Sequence, residues 1–253
     1  MTEDTALDTT IHEPSMMAGE RRRSGGRGPA AAMMTAMQTL IPAEQMMIVP
    51  ASEAPWDDLA AIFGTADYPG RCQCQRFKVP GCLWRDTTQE ERIAMLRAQT
   101  ACGDPNATTT SGLVAYLDGE PAGWVAVEPR TAYPKLRTSR VPWSGRDEDK
   151  GDDGIWAVTC FVVRKGYRGR GLTYPLARAT IDFARGRGAR ALEAYPMITQ
   201  PGKEITWGEV HVGARQVFED AGFEEVSRPT VRRVVMRIDF GQQSDARTAA
   251  TAP

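Results

Sequence analysis

The chain has 253 residues, enough for one or two domains with a sizeable core. Its 31 Lys and Arg residues balance 32 Asp and Glu, so no global field draws it to nucleic acid or to a membrane surface. Five cysteines, an odd number without regular spacing, argue against a secreted disulfide framework and point to reduced thiols in the cytoplasm. No apolar run reaches the roughly 18–20 residues of a membrane-spanning helix.

Residues 1–43 are rich in Thr, Gly, Ala, Met and Arg without a sustained period and read as a disordered extension. Arg21-Arg22-Arg23 ahead of Ala30–Leu40 has the order of a signal peptide. It starts too deep in the chain, however, and Thr35, Gln38 and Thr39 dilute the apolar part. A folded domain is expected over 44–240, and 241–253 reads as a flexible tail.

Met46–Val49 predicts a short strand, and Pro55 opens a helix with Trp56, Leu59, Ala60 and Phe63 on one side. Thr87 and Glu90 stand at capping-box spacing ahead of a second helix with Ile93, Leu96 and Thr100 along its face. Leu113–Leu117, Asp118-Gly119 and Ala122–Val127 spell a β-hairpin with a type I′ turn. The polar stretch Glu128–Gly154 is long for a connection inside a domain. Its Tyr133 and Trp143 favour a loop that covers substrate.

Ile155–Val163 is almost unbroken apolar or β-branched sequence, the pattern of a strand buried on both faces. A basic glycine turn follows, Arg168-Gly169-Arg170-Gly171, and then a helical pattern with Leu172, Leu176, Ala179, Thr180 and Phe183 on one face. Gly186 and Gly188 end that helix, and Arg190–Tyr195 reads as a parallel strand. After the loop Pro196–Gly208, a further helix is expected to bury Val210, Ala214, Val217, Phe218 and Ala221, with Gly222 as its cap. Phe223–Val226 and Val231–Phe240 close the domain as a hairpin.

The physical use of the glycine turn is anion binding. A helix N-terminus presents unpaired N–H groups with partial positive charge, and glycines let phosphate oxygens approach the backbone. The turn lacks the Lys and Ser/Thr of a P-loop and is not the dinucleotide fingerprint. Arg164, Lys165, Arg178, Arg185, Arg187 and Arg190 surround it, which suits a ligand with several phosphates.

Val163-x-x-x-x-Arg168-Gly169-Arg170-Gly171-Leu172-Thr173 resembles the acetyl-CoA loop of the GNAT superfamily of N-acetyltransferases, [RQ]-x-x-G-x-[GA], with Thr173 in place of Gly or Ala. His211-x-x-Ala214-x-x-x-Phe218-x-x-x-Gly222-Phe223 resembles the superfamily's N-x-x-A-x-x-x-Y-x-x-x-G-F helix. The resemblance spans roughly Met46–Phe240. It implies an α/β (α+β) GNAT fold, a mixed central β-sheet flanked by helices. It also implies acetyl-CoA as co-substrate, with the pyrophosphate on Arg168, Gly169, Arg170, Gly171, Leu172 and Thr173 and the pantetheine arm along the backbones of Phe161 and Val163. By the same resemblance, a backbone N–H near Cys160–Val163 polarises the thioester, and the connection holding Cys72-Gln73-Cys74-Gln75-Arg76-Phe77 borders the acceptor site.

Acetyl transfer to an amine needs a neutral nucleophile, a polarised carbonyl and a stabilised leaving thiolate. Phe218 stands at the family's tyrosine position and cannot donate a proton, which leaves His211 or Tyr195 as candidate acids. For the base, Glu193 lies mid-strand among apolar residues, where a charge needs a partner or a role. It reads as a catalytic base or as an ion pair with an arginine, with Glu128, Asp152 and Asp153 as alternatives. Cys72-x-Cys74 lacks a nearby histidine and the C-x-x-C spacing, so no metal is expected. The acceptor is expected to be a small-molecule or peptide amine, and a homodimer stays open. The reading from a different class is a non-catalytic acyl-CoA-binding sensor. A nucleic-acid binder using the arginine cluster is a third.

Overall fold

The computed structural model describes residues 45–241 apart from 65–66, 200–201 and 203–204; the expected N-terminal extension and almost all of the expected tail lie outside the described residues. In chain order the elements are β1 (Met46–Pro50), α1 (Trp56–Gly64), α2 (Asp67–Cys72), α3 (Gln89–Thr100), β2 (Leu113–Leu117) and β3 (Glu120–Pro129). Then come α4 (Pro134–Thr138), α5 (Arg140–Trp143), β4 (Ile155–Val163), α6 (Thr173–Gly186) and β5 (Ala191–Ala194). The chain closes with α7 (Trp207–Val210), α8 (Arg215–Asp220), β6 (Glu224–Thr230) and β7 (Arg233–Asp239).

The strands form one seven-stranded sheet in the order β1-β2-β3-β4-β5-β7-β6, antiparallel except for the β4–β5 pair. This is the mixed sheet with flanking helices that the family resemblance implies. β4 takes the centre because its side chains are apolar on both faces, and all but Val163 are buried. Asp118 and Gly119 have φ of 53° and 81°, the two left-handed residues of the predicted type I′ turn.

One face of the sheet packs Val125, Val127, Trp156, Val158 and Leu192 against Leu176, Ala177, Phe183 and Ala184 of α6. Over β2–β4 the other face packs Trp124, Ala126, Cys160 and Val162 against Leu59, Ile62 and Phe63 of α1 and Leu96 of α3. Over β4, β5 and β7, that same face is covered by Tyr133 and Leu136, which pack on Ala157, Tyr195 and Val235. No helix among the described residues is long and apolar enough to cross a membrane.

Three local expectations are corrected. The capping box is Thr88 with Glu91, one residue later than the spacing suggested. The Thr87 hydroxyl donates instead to the Leu83 carbonyl at 2.8 Å. The 128–154 stretch, expected as a loop, contains α4 and α5 and buries Arg130, Tyr133 and Leu136. The helix expected over 210–221 is broken: α7 ends at Val210, Gly213 sits at φ 90° and Ala214 is extended before α8 begins. The reason is tertiary. The carbonyls of His211 and Gly213 accept from Phe161 N at 2.7 Å and Met197 N at 3.0 Å, which a helix would prevent.

Thr88→Ala should cost about 1 kcal/mol of unfolding free energy, the usual worth of an N-cap, and Thr87→Ala clearly less. Urea denaturation of the two variants checks the reassigned cap.

Candidate active site

The site starts from a gap between two strands. β4 and β5 pair only over Ile155–Val158 and Ala191–Ala194, and then part. Beside the point of separation, the β3–β4 register slips between Ala126–Cys160 and Val127–Val158, leaving Thr159 as an extra residue in β4. A bulge of this kind bends its strand away from regular pairing. In this structure the gap is bridged by the 211–215 segment. His211 O accepts from Phe161 N at 2.7 Å, and Arg215 N donates to Met197 O at 2.8 Å. The Phe161 amide, expected along the cofactor's arm, is therefore engaged with His211. Gly213 is required there: besides its left-handed φ, a Cβ would lie 2.6 Å from the Phe218 ring and 3.1 Å from that of Phe161.

At the end of β4, Gly166, Gly169 and Gly171 all adopt left-handed φ, between 75° and 91°. They turn the chain into α6, whose N-cap residue Leu172 makes no side-chain capping bond. The first-turn N–H groups of a 14-residue helix thus meet no side-chain cap beside the exposed Arg168 and Arg170. Arg168 Nε also donates to Val163 O at 3.1 Å, tying the turn to the strand end.

One row across the sheet holds Glu128, Ala157, Glu193 and Arg237 in register. The two glutamates therefore lie two strand spacings apart, ~9.5 Å along the sheet, with Ala157 of β4 between them in the row. Their surroundings differ. Glu193 is fully buried and meets three arginines, with Arg130 at 3.3 Å, Arg237 at 3.1 Å and Arg146 in closer contact. The Tyr195 hydroxyl donates to it at 3.0 Å. Burial pushes the Tyr195 phenol well above its usual value, and the neighbouring Glu193 charge adds to this.

Glu128 has an ion pair with Lys78, both side chains being nearly buried. Burial raises its carboxyl above the usual range, with Lys78 opposing the rise. Tyr133 lies beside it, fully buried, and reaches toward Thr159 of the bulge. Burial lifts the Tyr133 phenol well above 10, helped by the Glu128 charge.

Phe218 is fully buried, edge-on to Phe161 (5.8 Å between ring centres) and Phe223 (5.2 Å). His211 lies in the bridging segment, its ring 6.1 Å from that of Phe77. Cys72, Cys74 and Cys160 are buried, and burial pushes the Cys72 thiol up to about 12, with Cys74 adding to the rise. Among the described residues no group of three or more His, Cys, Asp or Glu is placed to hold a metal ion.

Residues 78–201 match the model of the acetyltransferase (GNAT) family. This stretch is a GNAT acetyltransferase domain. Similar solved structures include yncA of Salmonella typhimurium, whose structure holds acetyl-CoA. It is 19% identical, with 83% of this chain and 99% of that one covered at a TM-score of 0.44. An N-acetyltransferase of Staphylococcus aureus Mu50 is 16% identical over 77% of this chain and 98% of its own, TM-score 0.43. A GNAT-family acetyltransferase of Streptococcus pneumoniae is 19% identical over 78% and 100%, TM-score 0.42. No curated protein matches the chain by sequence.

In this GNAT domain, sequence reading singled out Glu193, Tyr195 and His211. The fold brings Glu193 and Tyr195 into one buried cluster and sets His211 apart on the bridging segment. Lys78, Arg130, Arg146 and Thr159 were missed. The bulge at Thr159 and the ion pairs follow from pairing across the sheet, which leaves no local pattern. Glu193→Ala should lower unfolding free energy by about 3–5 kcal/mol, because it strands buried guanidinium groups. A loss below about 1 kcal/mol in urea denaturation would mean that the cluster contributes no stability.

Proposed function

We propose that this acetyltransferase moves an acetyl group directly from acetyl-CoA to a primary amine on a small molecule or peptide. The observation that carries this reading is the left-handed glycine turn opening α6 at the end of the splayed central strand. Its backbone supports pyrophosphate binding over Arg168, Gly169, Arg170, Gly171, Leu172 and Thr173. The arm of acetyl-CoA would run along Phe161 and Val163, for which the Phe161–His211 bond has to open. Acetyl-CoA supplies the thioester, and the chain supplies orientation, a dry cleft and a place for the amine's proton.

For that proton, Glu128 is favoured over Glu193. A base needs a free lone pair facing the nucleophile. Glu193 already receives bonds from three arginines and Tyr195. Among the described residues Glu128 has one cationic partner, Lys78, and it has a raised pKa and a position on the same row beside the bulge. Glu193 then acts through the loop it anchors, holding Arg130 and Arg146 and with them the segment that carries Tyr133. The leaving thiolate needs little help, since a thiol pKa is about 8.5, and this fits the loss of a proton donor at Phe218.

Gly171→Glu sets a side chain and a negative charge where phosphate oxygens are expected, and φ of 77° adds backbone strain. Acetyl-CoA affinity should fall at least tenfold, about 1.4 kcal/mol, in calorimetry on folded protein. Unchanged affinity would end the phosphate-loop reading. Thiol release from acetyl-CoA across a panel of amines tests catalysis itself, and binding without release would leave a non-catalytic acyl-CoA-binding domain. With an accepted amine, the rate should rise with pH through an inflection above the usual carboxylate range of about 4.3, because Glu128 must be ionised to act. Glu128→Gln should abolish that inflection and lower kcat by about 10²-fold.

A further inference from the structure

The fold delivers an amine of its own to the proposed base. Lys78 Nζ contacts the Glu128 carboxylate, donates to Gln99 Oε1 at 3.0 Å and lies 5.4 Å from the centre of the Tyr133 ring. Its side chain is only 11% exposed, so this is not a solvated surface lysine. Gln99 is itself fixed by the fully buried Gln75, through bonds of 2.9 and 3.2 Å. The preceding residue, Phe77, puts its ring 6.1 Å from that of His211, whose carbonyl engages the Phe161 amide in the gap between β4 and β5. Residues 77 and 78 therefore touch both the proposed base and the contact that closes the cleft.

A purely structural pair is the simpler account, but a buried Lys–Glu pair typically gains little over apolar residues of the same volume. What this pair supplies is an amine in contact with a carboxylate beside the thioester's proposed place. We propose that Lys78 is a self-modification site, acetylated on Nζ within the same molecule by bound acetyl-CoA. This rests on the donor and base assigned above.

The step balances. Glu128 removes one proton from the ammonium, and the neutral Nζ attacks the thioester carbonyl carbon. The C–N bond forms as the C–S bond breaks. The second nitrogen proton neutralises the departing thiolate, leaving an amide on Lys78 and CoA as the free thiol. The amide carries no charge, so acetylation also removes the counter-ion of Glu128.

The test needs no knowledge of the natural acceptor. Full-length protein is incubated with acetyl-CoA alone, and its five lysines, Lys78, Lys135, Lys150, Lys165 and Lys203, are followed by peptide mass spectrometry. Lys78 should gain acetyl at least tenfold faster than any other lysine and tenfold faster than in the heat-unfolded chain. The rate per molecule should not change over a tenfold dilution of the protein. Glu128→Gln, checked for folding by circular dichroism, should slow the gain at least tenfold. Calorimetry with acetyl-CoA separates the two ways of failing. Lys78 left unmodified while acetyl-CoA binds overturns this inference alone, as does a rate that falls on dilution. No binding of acetyl-CoA overturns the donor reading and this inference with it.

Discussion

The functional half of this molecule depends on β4 pairing with β5 over four residues and no more. β5 runs into Pro196, which has no N–H to give to a ladder, and the extra residue at Thr159 bends β4 away from its neighbour. The separation exposes backbone polar groups inside a buried sheet, and such groups are costly without partners. The chain meets that cost with the 211–215 segment, which lends its carbonyls to Phe161 and Met197. The gap between strands and the set of hydrogen bonds that bridges it arise from one geometric event. A ligand arm with amide groups of its own could take over the same partners at little net cost, since one set of hydrogen bonds replaces another.

A second constraint is charge. Glu193 is fully buried in the middle of the sheet, where an unpaired carboxylate would cost several kcal/mol. Three arginines from the 130–146 stretch and β7 compensate it, and the binding is mutual: the carboxylate holds in place a segment without long helices of its own. Trp143 lies 4.6 Å from the Arg130 guanidinium and donates its indole N–H to the Leu136 carbonyl, so the aromatic residues in this segment brace it internally. Tyr133 is thereby pressed onto Ala157, beside Glu128 and the bulge. The arginine cluster thus supports the site from further along the same row.

Glu128 stands at the other end of that row with, among the described residues, Lys78 as its one cation. The contrast between the two carboxylates comes from their surroundings, because both are glutamates in one row of the sheet. Many compensating donors make a carboxylate a fixed part of the scaffold. Few donors and little water leave it with proton affinity to use.

The sequence by itself determined the elements whose signals are local. Ile155–Val163 has no polar face and must lie at the centre of a sheet. Asp118-Gly119 fixes the hairpin, because few other pairs accept two left-handed residues in succession. Gly166, Gly169 and Gly171 give the turn into α6 its shape, and the two motifs point to the family before any coordinate is known. Tertiary structure decided the rest. The 210–221 stretch has a helical pattern, yet it breaks at His211–Ala214 because Phe161 and Met197 claim its carbonyls. An arginine ion pair was one of the two readings of Glu193, but which residues meet Glu193 and Glu128 was hidden, since Arg237 and Lys78 lie 44 and 50 residues away in sequence. Register across a sheet brings such groups together, and no periodicity along one strand records what the neighbouring strand will place opposite.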